Sequence, residues 1–457
     1  MKKMITQCLV TLCFLGSFTV NAQKKVIFDN SFGKKGTHAL VSDSSDYSIY
    51  QSFPLASGGS VSFGFAYGDT TTNMVFFKLD AQGKPDVNFG KKGTVSINTD
   101  SIPDALTTVY KMIETTDKSI LVLFGDGNSF IDAESSAVIR ISKTGKIDNN
   151  FAGGTGSLAP TTDASPGGIA DIEPLANGKF LALSIFSNAT QKIFSNFVQY
   201  NANGTIDNTF GNNGVALVLK SDAQAFITMN KVGTNFILSG VELDFDPNAT
   251  TFFTPLLTKV NKKGKIDAKF GIPILKNSST NKLDIIPIGV KIAPDSSFIY
   301  TASIYDNDAD SSYYEVHKIK ANGQVDSSFA KNGTLKLEPE FAFGFDVPLK
   351  GIELLNDGSL MTFFPADIDA NEMTATLYDK KGALDKKFGD DGVSMFQVEE
   401  QQCIVTNSHL QADGKIIISG IKNNPAMDYL EAFVSRLEVV NSVATVDASL
   451  INAKLNV

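Results

Sequence analysis

One phrase, GTIDNTFGNNG at Gly204–Gly214, is written into this chain again and again, and it limits what the chain can fold into more than any other feature. It returns as GKPDVNFGKKG (Gly83–Gly93), GKIDNNFAGG (Gly145–Gly154), GKIDAKFG (Gly264–Gly271), GQVDSSFAKNG (Gly323–Gly333) and GALDKKFGDDG (Gly382–Gly392). A seventh copy without its leading glycine, FDNSFGKKG, spans Phe28–Gly36. The central aromatics, Phe32, Phe89, Phe151, Phe210, Phe270, Phe329 and Phe388, are spaced 57, 62, 59, 60, 59 and 59 residues apart. Three residues before each stands an aspartate: Asp29, Asp86, Asp148, Asp207, Asp267, Asp326 and Asp385. A period near sixty held over seven copies marks a repeat architecture, in which each unit buries its apolar surface against its neighbours.

The residue types fit a structural role. A glycine six before the phenylalanine suits a left-handed turn. The aspartate can close that turn through nearby backbone, and the phenylalanine is large enough to pack between units. Because every unit carries them, these residues read as scaffold and not as seven identical sites. A second turn lies roughly thirty residues upstream of each phenylalanine, as in LANGKFLAL (Leu175–Leu183), LNDGSLMTF (Leu355–Phe363) and QADGKIIISG (Gln411–Gly420). Around the turns run short β-branched and aromatic stretches bounded by Gly, Asn and Asp, about four strands per unit. The pattern predicts an all-β, seven-bladed β-propeller of four-stranded antiparallel blades.

The two ends are complementary. The last unit has its strands through Ala432–Val440 but no phenylalanine motif after them, whereas the motif at Phe32 has no strands before it. The N-terminal segment is therefore expected to complete the seventh blade and close the ring, which removes exposed sheet edges. Domain limits follow: residues 1–22 as a signal peptide, 23–442 as the propeller of seven ~59-residue repeats, and 443–457 as a tail or linker. Lys2 and Lys3, the apolar run Cys8–Val20 and the small-residue site at Val20–Ala22 carry the signal-peptide reading. No later stretch is long and apolar enough for a membrane helix. Removing Lys2 and Lys3 leaves 38 basic against 49 acidic residues, a net charge of −11, which argues against nucleic acid and anionic membranes as partners.

Arg140 and Arg436, the two arginines, occupy one register position that holds Lys78, Lys259 and Lys318 in other units, so pairing with the repeated aspartate is expected. The units differ most in the loops expected between the third and fourth strands of the blades, Gly125–Ser136, Glu242–Thr251, Tyr305–Ser312 and Ala366–Met373. These place long acidic loops on one face and tight Gly-Lys turns on the other, which points to the loop face for function. Asp306, Asp308 and Asp310 alternate as candidate calcium ligands, echoed by Asp244/Asp246 and Asp367/Asp369. A glycine and a downstream acid, which would complete a known loop motif, are missing. His38, His317 and His409 have no paired spacing, and the first and last could meet only through ring closure. Cys403 has no basic neighbour in sequence and reads as a small core residue. The chain has no Trp for sugar stacking, although Tyr313 and Tyr314 flank the Asp306 loop.

The G-x-x-D-x-x-F-G spacing at a period near sixty, alternating with a DGK-type hairpin, resembles the delta-60 repeat family over roughly residues 26 to 440. Ala152 and Ala330 depart from the pattern, as does Ile272-Pro273 where a terminal glycine belongs. The resemblance implies a propeller-like fold and no shared catalytic residues. The signal ending NAQ and the closing AKLNV are similar to those of secreted Bacteroidetes proteins, whose type 9 secretion cargo carries a C-terminal sorting domain that this sequence lacks. Asp69-Thr70-Thr71 and Asp100-Ser101-Ile102 resemble the O-glycosylation sites of that phylum.

The reading is a secreted or cell-surface, non-enzymatic scaffold that binds a protein or glycan through its acidic loops, with no cofactor other than candidate Ca2+. Two alternatives stand beside it. One is an extracellular hydrolase or lactonase-like propeller using calcium, and the other a purely structural surface or adhesion component.

Overall fold

The computed structural model describes residues 23–40, 46–67, 72–98, 108–125, 136–153, 157–158, 168–187, 193–243, 253–271, 283–306, 308–309, 311–338, 351–366, 372–424 and 429–442. The expected signal peptide and tail lie outside these residues.

Seven antiparallel sheets follow one another along the chain. The N-terminal segment supplies β1 (Gln23–Phe28) and β2 (Thr37–Leu40). Blade 1 is β3 (Asp46–Pro54), β4 (Ser60–Tyr67), β5 (Thr72–Leu79) and β6 (Thr94–Asn98), and blade 2 is β7 (Thr108–Glu114), β8 (Ile120–Gly125), β9 (Ser136–Ile141) and β10 (Ser157–Leu158). Blade 3 is β11 (Gly168–Pro174), β12 (Phe180–Ser187), β13 (Ile193–Tyr200) and β14 (Val215–Ser221). Blade 4 shows three strands among the described residues, β15 (Gln224–Val232), β16 (Asn235–Leu243) and β17 (Phe253–Asn261). Blade 5 is β18 (Leu283–Ile292), β19 (Phe298–Asp306), β20 (Ser311–Ile319) and β21 (Thr334–Leu337). Blade 6 is β22 (Ile352–Leu354), β23 (Leu360–Pro365), β24 (Met373–Tyr378) and β25 (Val393–Phe396). Blade 7 is β26 (Cys403–Leu410), β27 (Ile416–Asn424) and β28 (Tyr429–Ser442), with β1 and β2 both paired to β28. The molecule is a seven-bladed β-propeller.

Both faces of each blade are covered by neighbouring blades, which is why the strands read as near-continuous apolar runs. Phe76 of blade 1 meets Phe124 of blade 2 edge-on at 6.2 Å, and Phe197 of blade 3 meets Phe236 of blade 4 at 5.5 Å. Tyr314 of blade 5 stacks on Phe364 of blade 6 at 5.5 Å.

The repeated motif explains itself in bonds. In all seven copies the aspartate Oδ1 accepts the backbone N–H two residues on, at 3.0 to 3.3 Å. Its carbonyl accepts the phenylalanine N–H at 2.8 to 3.0 Å, and its own N–H bonds back to the preceding strand at 2.7 to 2.9 Å. Six of the phenylalanines are no more than 5% exposed, while Phe210 is half-buried at the blade 3–blade 4 seam. The residue after each phenylalanine has positive φ, including Ala152 (56°) and Ala330 (43°), so the alanine copies keep the turn under backbone strain.

The motif glycine belongs to a contact between units. A Cβ on Gly204 (φ +81°) would stand 2.8 Å from the Phe151 ring and from Ala152 N, where the turn of blade 3 seats on the motif of blade 2. Gly204→Ala is expected to cost about 2–4 kcal/mol, from left-handed strain plus overpacking. Gly233→Ala, at φ +60° with nothing within 4 Å of the added carbon, should cost only about 1 kcal/mol. Denaturant midpoints of the two variants test this, and equal losses would show that the interblade contact is unimportant.

Ring closure uses the N-terminus twice. β1 runs beside Leu437–Ser442 of β28, and β2 beside Ala432–Ser435. Val26 packs into the core between blades 6 and 7, and Phe32 into the core between blades 7 and 1. One correction concerns strand order. The long loops join the second and third strands of each blade, because the strand that follows a motif closes the preceding blade. Repeat and blade are out of phase by one strand.

Candidate functional site

The first strand of each sheet faces the axis, and successive first strands touch around the ring, β18 and β22 through the Lys291–Glu353 ion pair. Six of the seven carry a β-bulge at the same place, before Gln51, Lys111, Asp171, Thr228, Gly289 and Asn407. Such a bulge re-aims the residue that follows it. Polar groups collect here that strand periodicity did not single out.

On one arc, Lys111 Nζ of blade 2 lies 2.6 Å from Glu173 Oε1 and 2.9 Å from Asp171 Oδ1, both on blade 3. It also reaches 3.5 Å toward the Met229 carbonyl of blade 4, so one side chain spans three blades. Asp171 Oδ2 accepts the Met229 N–H at 2.6 Å. Burial opposes the Lys111 charge, but the two carboxylates outweigh it and hold the ammonium above the usual lysine range. Burial, with Asp171 alongside, raises Glu173 against the pull of Lys111.

On the other arc, Lys291 Nζ of blade 5 lies 2.6 Å from Glu353 Oε2 of blade 6. Glu353 Oε1 accepts from Ser408 Oγ at 2.8 Å, and Oε2 from the Leu410 N–H at 3.2 Å, both on blade 7. These carboxylates are committed to lysines and amides, and their chemistry is that of clamps between blades.

His409, next to that clamp, is 8% exposed, and its ring lies against the Ser52 backbone of blade 1. Burial, reinforced by the Lys291 charge, pulls its pKa down to about 3, against a contribution from the adjacent Ser52 backbone. The imidazole is neutral in the fold and charges readily in the unfolded chain, so its contribution to stability is complete above about 6.5 and is lost as pH falls toward about 3. At 1.36 kcal/mol per unit the loss is on the order of 5 kcal/mol. His38, stacked on Phe77 at 5.1 Å between the same two blades, is lowered by burial as well. Melting temperature against pH should therefore fall already between pH 6 and 4.5, and His409→Gln should flatten that limb. An unchanged slope would remove His409 as its cause.

The predicted basic positions pair largely as expected. Lys78–Asp86 stands at 3.2 Å, Arg140–Asp148 at 3.4 Å, Lys259–Asp267 at 3.8 Å and Arg436–Asp29 at 2.7 Å, whereas Lys318 turns to Asp295 at 3.0 Å. The two arginines also donate to a turn carbonyl of the next blade, Arg140 to Ala202 at 3.3 Å and Arg436 to Ala81 at 2.6 Å. A second donor group is what lysine lacks at this register.

Of the candidate calcium ligands, Asp306 Oδ1 accepts the N–H groups of Asp308 and Ala309, both at 3.1 Å, and so closes the loop's own turn. Asp308 is exposed, and Asp310 lies outside the described residues, as do Asp244, Asp246, Asp367 and Asp369. Among the described residues no three His, Cys, Asp or Glu side chains converge in a metal-binding group. Cys403 is buried with a free thiol, and burial raises its pKa to about 11.

No family model matches the chain, and no curated protein matches it. Among solved structures it is similar to prolyl oligopeptidase B from Galerina marginata, at 12% identity and TM-score 0.42 over 87% of this chain and 52% of that one. Pyrococcus horikoshii acylaminoacyl peptidase gives 8% identity and TM-score 0.40 over 90% and 54%. The WD40 domain of SCAP from fission yeast gives 9% identity and TM-score 0.34 over 90% and 97%. This chain spans about half the length of each peptidase. At these scores none of the likenesses brings a substrate or a mechanism to it.

Proposed function

We propose that the protein is an exported, non-enzymatic propeller scaffold of the delta-60 repeat kind, which holds a protein or glycan through the face of long acidic loops. The observation that carries this reading is a division of labour within one chain. Seven motifs make the same backbone bonds, while the segments joining second and third strands differ in length and sequence and gather acids such as Asp244, Asp246, Asp367 and Asp369. A rigid ring that repeats, carrying loops that do not, is the arrangement of a recognition surface. The engagement of the axial carboxylates with lysines supports a scaffold over a hydrolase. Export rests on the basic and apolar leader in residues 1–22, and a Bacteroidetes source on the resemblance of the chain ends. Among the described residues no helix is long and apolar enough to cross a membrane.

The chain from Gln23, set against a glycan array and a panel of purified extracellular proteins, tests the reading. Asp→Asn at positions 244, 246, 306, 308, 367 and 369 is expected to weaken the captured partner at least tenfold, with the melting temperature held within about 2 °C because surface changes cost little. The wild-type interaction should also weaken with salt. Equal binding by the neutralised variant, or turnover of a captured polymer, would sink the proposal.

A further inference from the structure

The net charge of −11 averages over two unlike parts of the molecule. The seven motif turns, residues 29–36, 80–93, 142–153, 201–214, 262–271, 320–333 and 379–392, lie at one end of the ring, beside the tight hairpins between first and second strands. They carry seventeen lysines, every one of them exposed, and neither arginine nor glutamate. Eight of their eleven aspartates are buried or half-buried, and only Asp80, Asp390 and Asp391 are exposed. Taking these lysines and aspartates from the 38 basic and 49 acidic residues that follow Ala22 leaves 21 basic against 38 acidic. The hairpins add four exposed aspartates and Lys118, so this end shows eighteen exposed lysines to seven exposed aspartates. The case against anionic membranes holds for the mean charge of the chain and reverses at this end.

The fold does not use these lysines. Among the described residues only Lys386 of the seventeen is in an ion pair, with Asp391 at 3.4 Å. The turns that carry them are fixed side by side. The N–H after the motif phenylalanine donates to a turn carbonyl of the adjoining blade, Gly33 to Gln82 at 2.8 Å, Gly90 to Thr144 at 3.0 Å, Ala152 to Asn203 at 2.8 Å and Ala330 to Lys381 at 2.7 Å. The same turns also expose apolar side chains: Val87 is 71% exposed, Val325 40%, and Ile147 and Leu384 38% each. Ammonium groups set around exposed apolar tips suit a lipid interface, where phosphates meet the charges and the acyl boundary takes the tips. A ring of turns meets a surface all at once, whereas a polymer strand crosses only part of it and has no use for the apolar tips.

We propose that this end of the propeller docks on an anionic lipid surface, its lysines on headgroup phosphates and Val87, Ile147, Val325 and Leu384 at the acyl boundary. Blade 3, whose motif turn has no lysine, makes the weakest part of the contact. The segments joining second and third strands lie at the opposite end of the ring, so docking turns the acidic loops away from the membrane. The surface is separate from the acidic-loop face and does not depend on that reading.

Co-sedimentation of the chain from Gln23 with phosphatidylcholine vesicles, with and without phosphatidylglycerol, is the test. Binding to the anionic vesicles is expected to be at least tenfold tighter than to the neutral ones and to weaken with salt. A lysine near such a surface is worth about fivefold in affinity, so Lys→Gln at positions 34, 35, 91, 92, 380 and 381 should weaken binding at least a hundredfold. These exposed changes should leave the fold intact. Val87→Ser with Leu384→Ser, which removes no charge, should weaken it at least threefold and gives a second readout. The acidic-loop variant should still bind the vesicles. Equal partition onto neutral and anionic vesicles, or binding untouched by both turn variants, would overturn the proposal. Capture of long-chain polyphosphate without vesicle binding would assign the lysines to a soluble polyanion and overturn it as well.

Discussion

Removal of residues 23–36 is expected to abolish cooperative melting. The segment supplies a strand partner to each residue of Leu437–Ser442 and two core side chains that sit in different seams, Val26 at 5% and Phe32 at 1% exposure. Losing a buried phenylalanine alone costs about 3–5 kcal/mol, and stranding the cationic partners of Asp29 costs about 3–5 more. Those two losses already consume much of the roughly 5–15 kcal/mol that holds a folded protein together. The open β28 edge would then invite pairing with other chains. Calorimetry of the truncated chain, with and without a synthetic peptide of residues 23–40, gives the answer. A truncated chain that melts within 5 °C of the intact one would show that the ring closes without its N-terminus.

Asp29→Ala should cost about 3–5 kcal/mol, whereas Asp385→Ala, the same motif position one blade earlier, should cost about 1 kcal/mol. Asp29 is 4% exposed and holds Lys415 at 2.6 Å, Arg436 Nε at 2.7 Å and Ser31 Oγ at 2.7 Å. Its loss leaves the buried Arg436, which also lies over the Phe32 ring at 4.9 Å, without a counter-charge. Asp385 accepts the Lys387 N–H at 3.2 Å, and Leu377 fills its basic position. Burial works against the Asp29 charge, but the bonds from Lys415 and Ser31 and the Arg436 charge hold its carboxyl well below the usual range. Its folded pKa is depressed, so its stabilisation is present above about pH 4 and is lost as pH falls further. That window opens well below the start of the His409 one and overlaps it only near pH 3 to 4. Urea titrations at pH 7 and pH 3 compare the variants. Equal costs at pH 7 would mean that the seven copies are energetically interchangeable.

The contrast between Asp29 and Asp385 also shows what the sequence could reveal. Blade number, blade composition and ring closure were legible, because the motif bonds are local and the missing halves at each end name each other. The axial groups were not. Lys111 and the Met229 carbonyl are 118 residues apart, and Glu353 and Ser408 are 55 apart. Only the closed ring makes them neighbours. Charges embedded in apolar strands, such as Glu173 between Ile172 and Pro174, were the available signal, and laying the units in register at the hairpin turns would have gathered them. The phase offset between repeat and blade was hidden because a motif ends a sequence unit but not a sheet.

The pairing of Gln23 with Ser442 fixes an order of events. A chain made from its N-terminus exposes β1 and β2 first and their partner strand last, so six blades can gather while the first two strands wait with unpaired edges. Loop closure over almost the whole chain comes at the end, the slowest kind of contact to find, and until then the intermediate has an open edge at each end. A ribosome that releases β28 last therefore sets when the ring can lock. A chain halted just short of that strand would have every motif it needs and no closed ring.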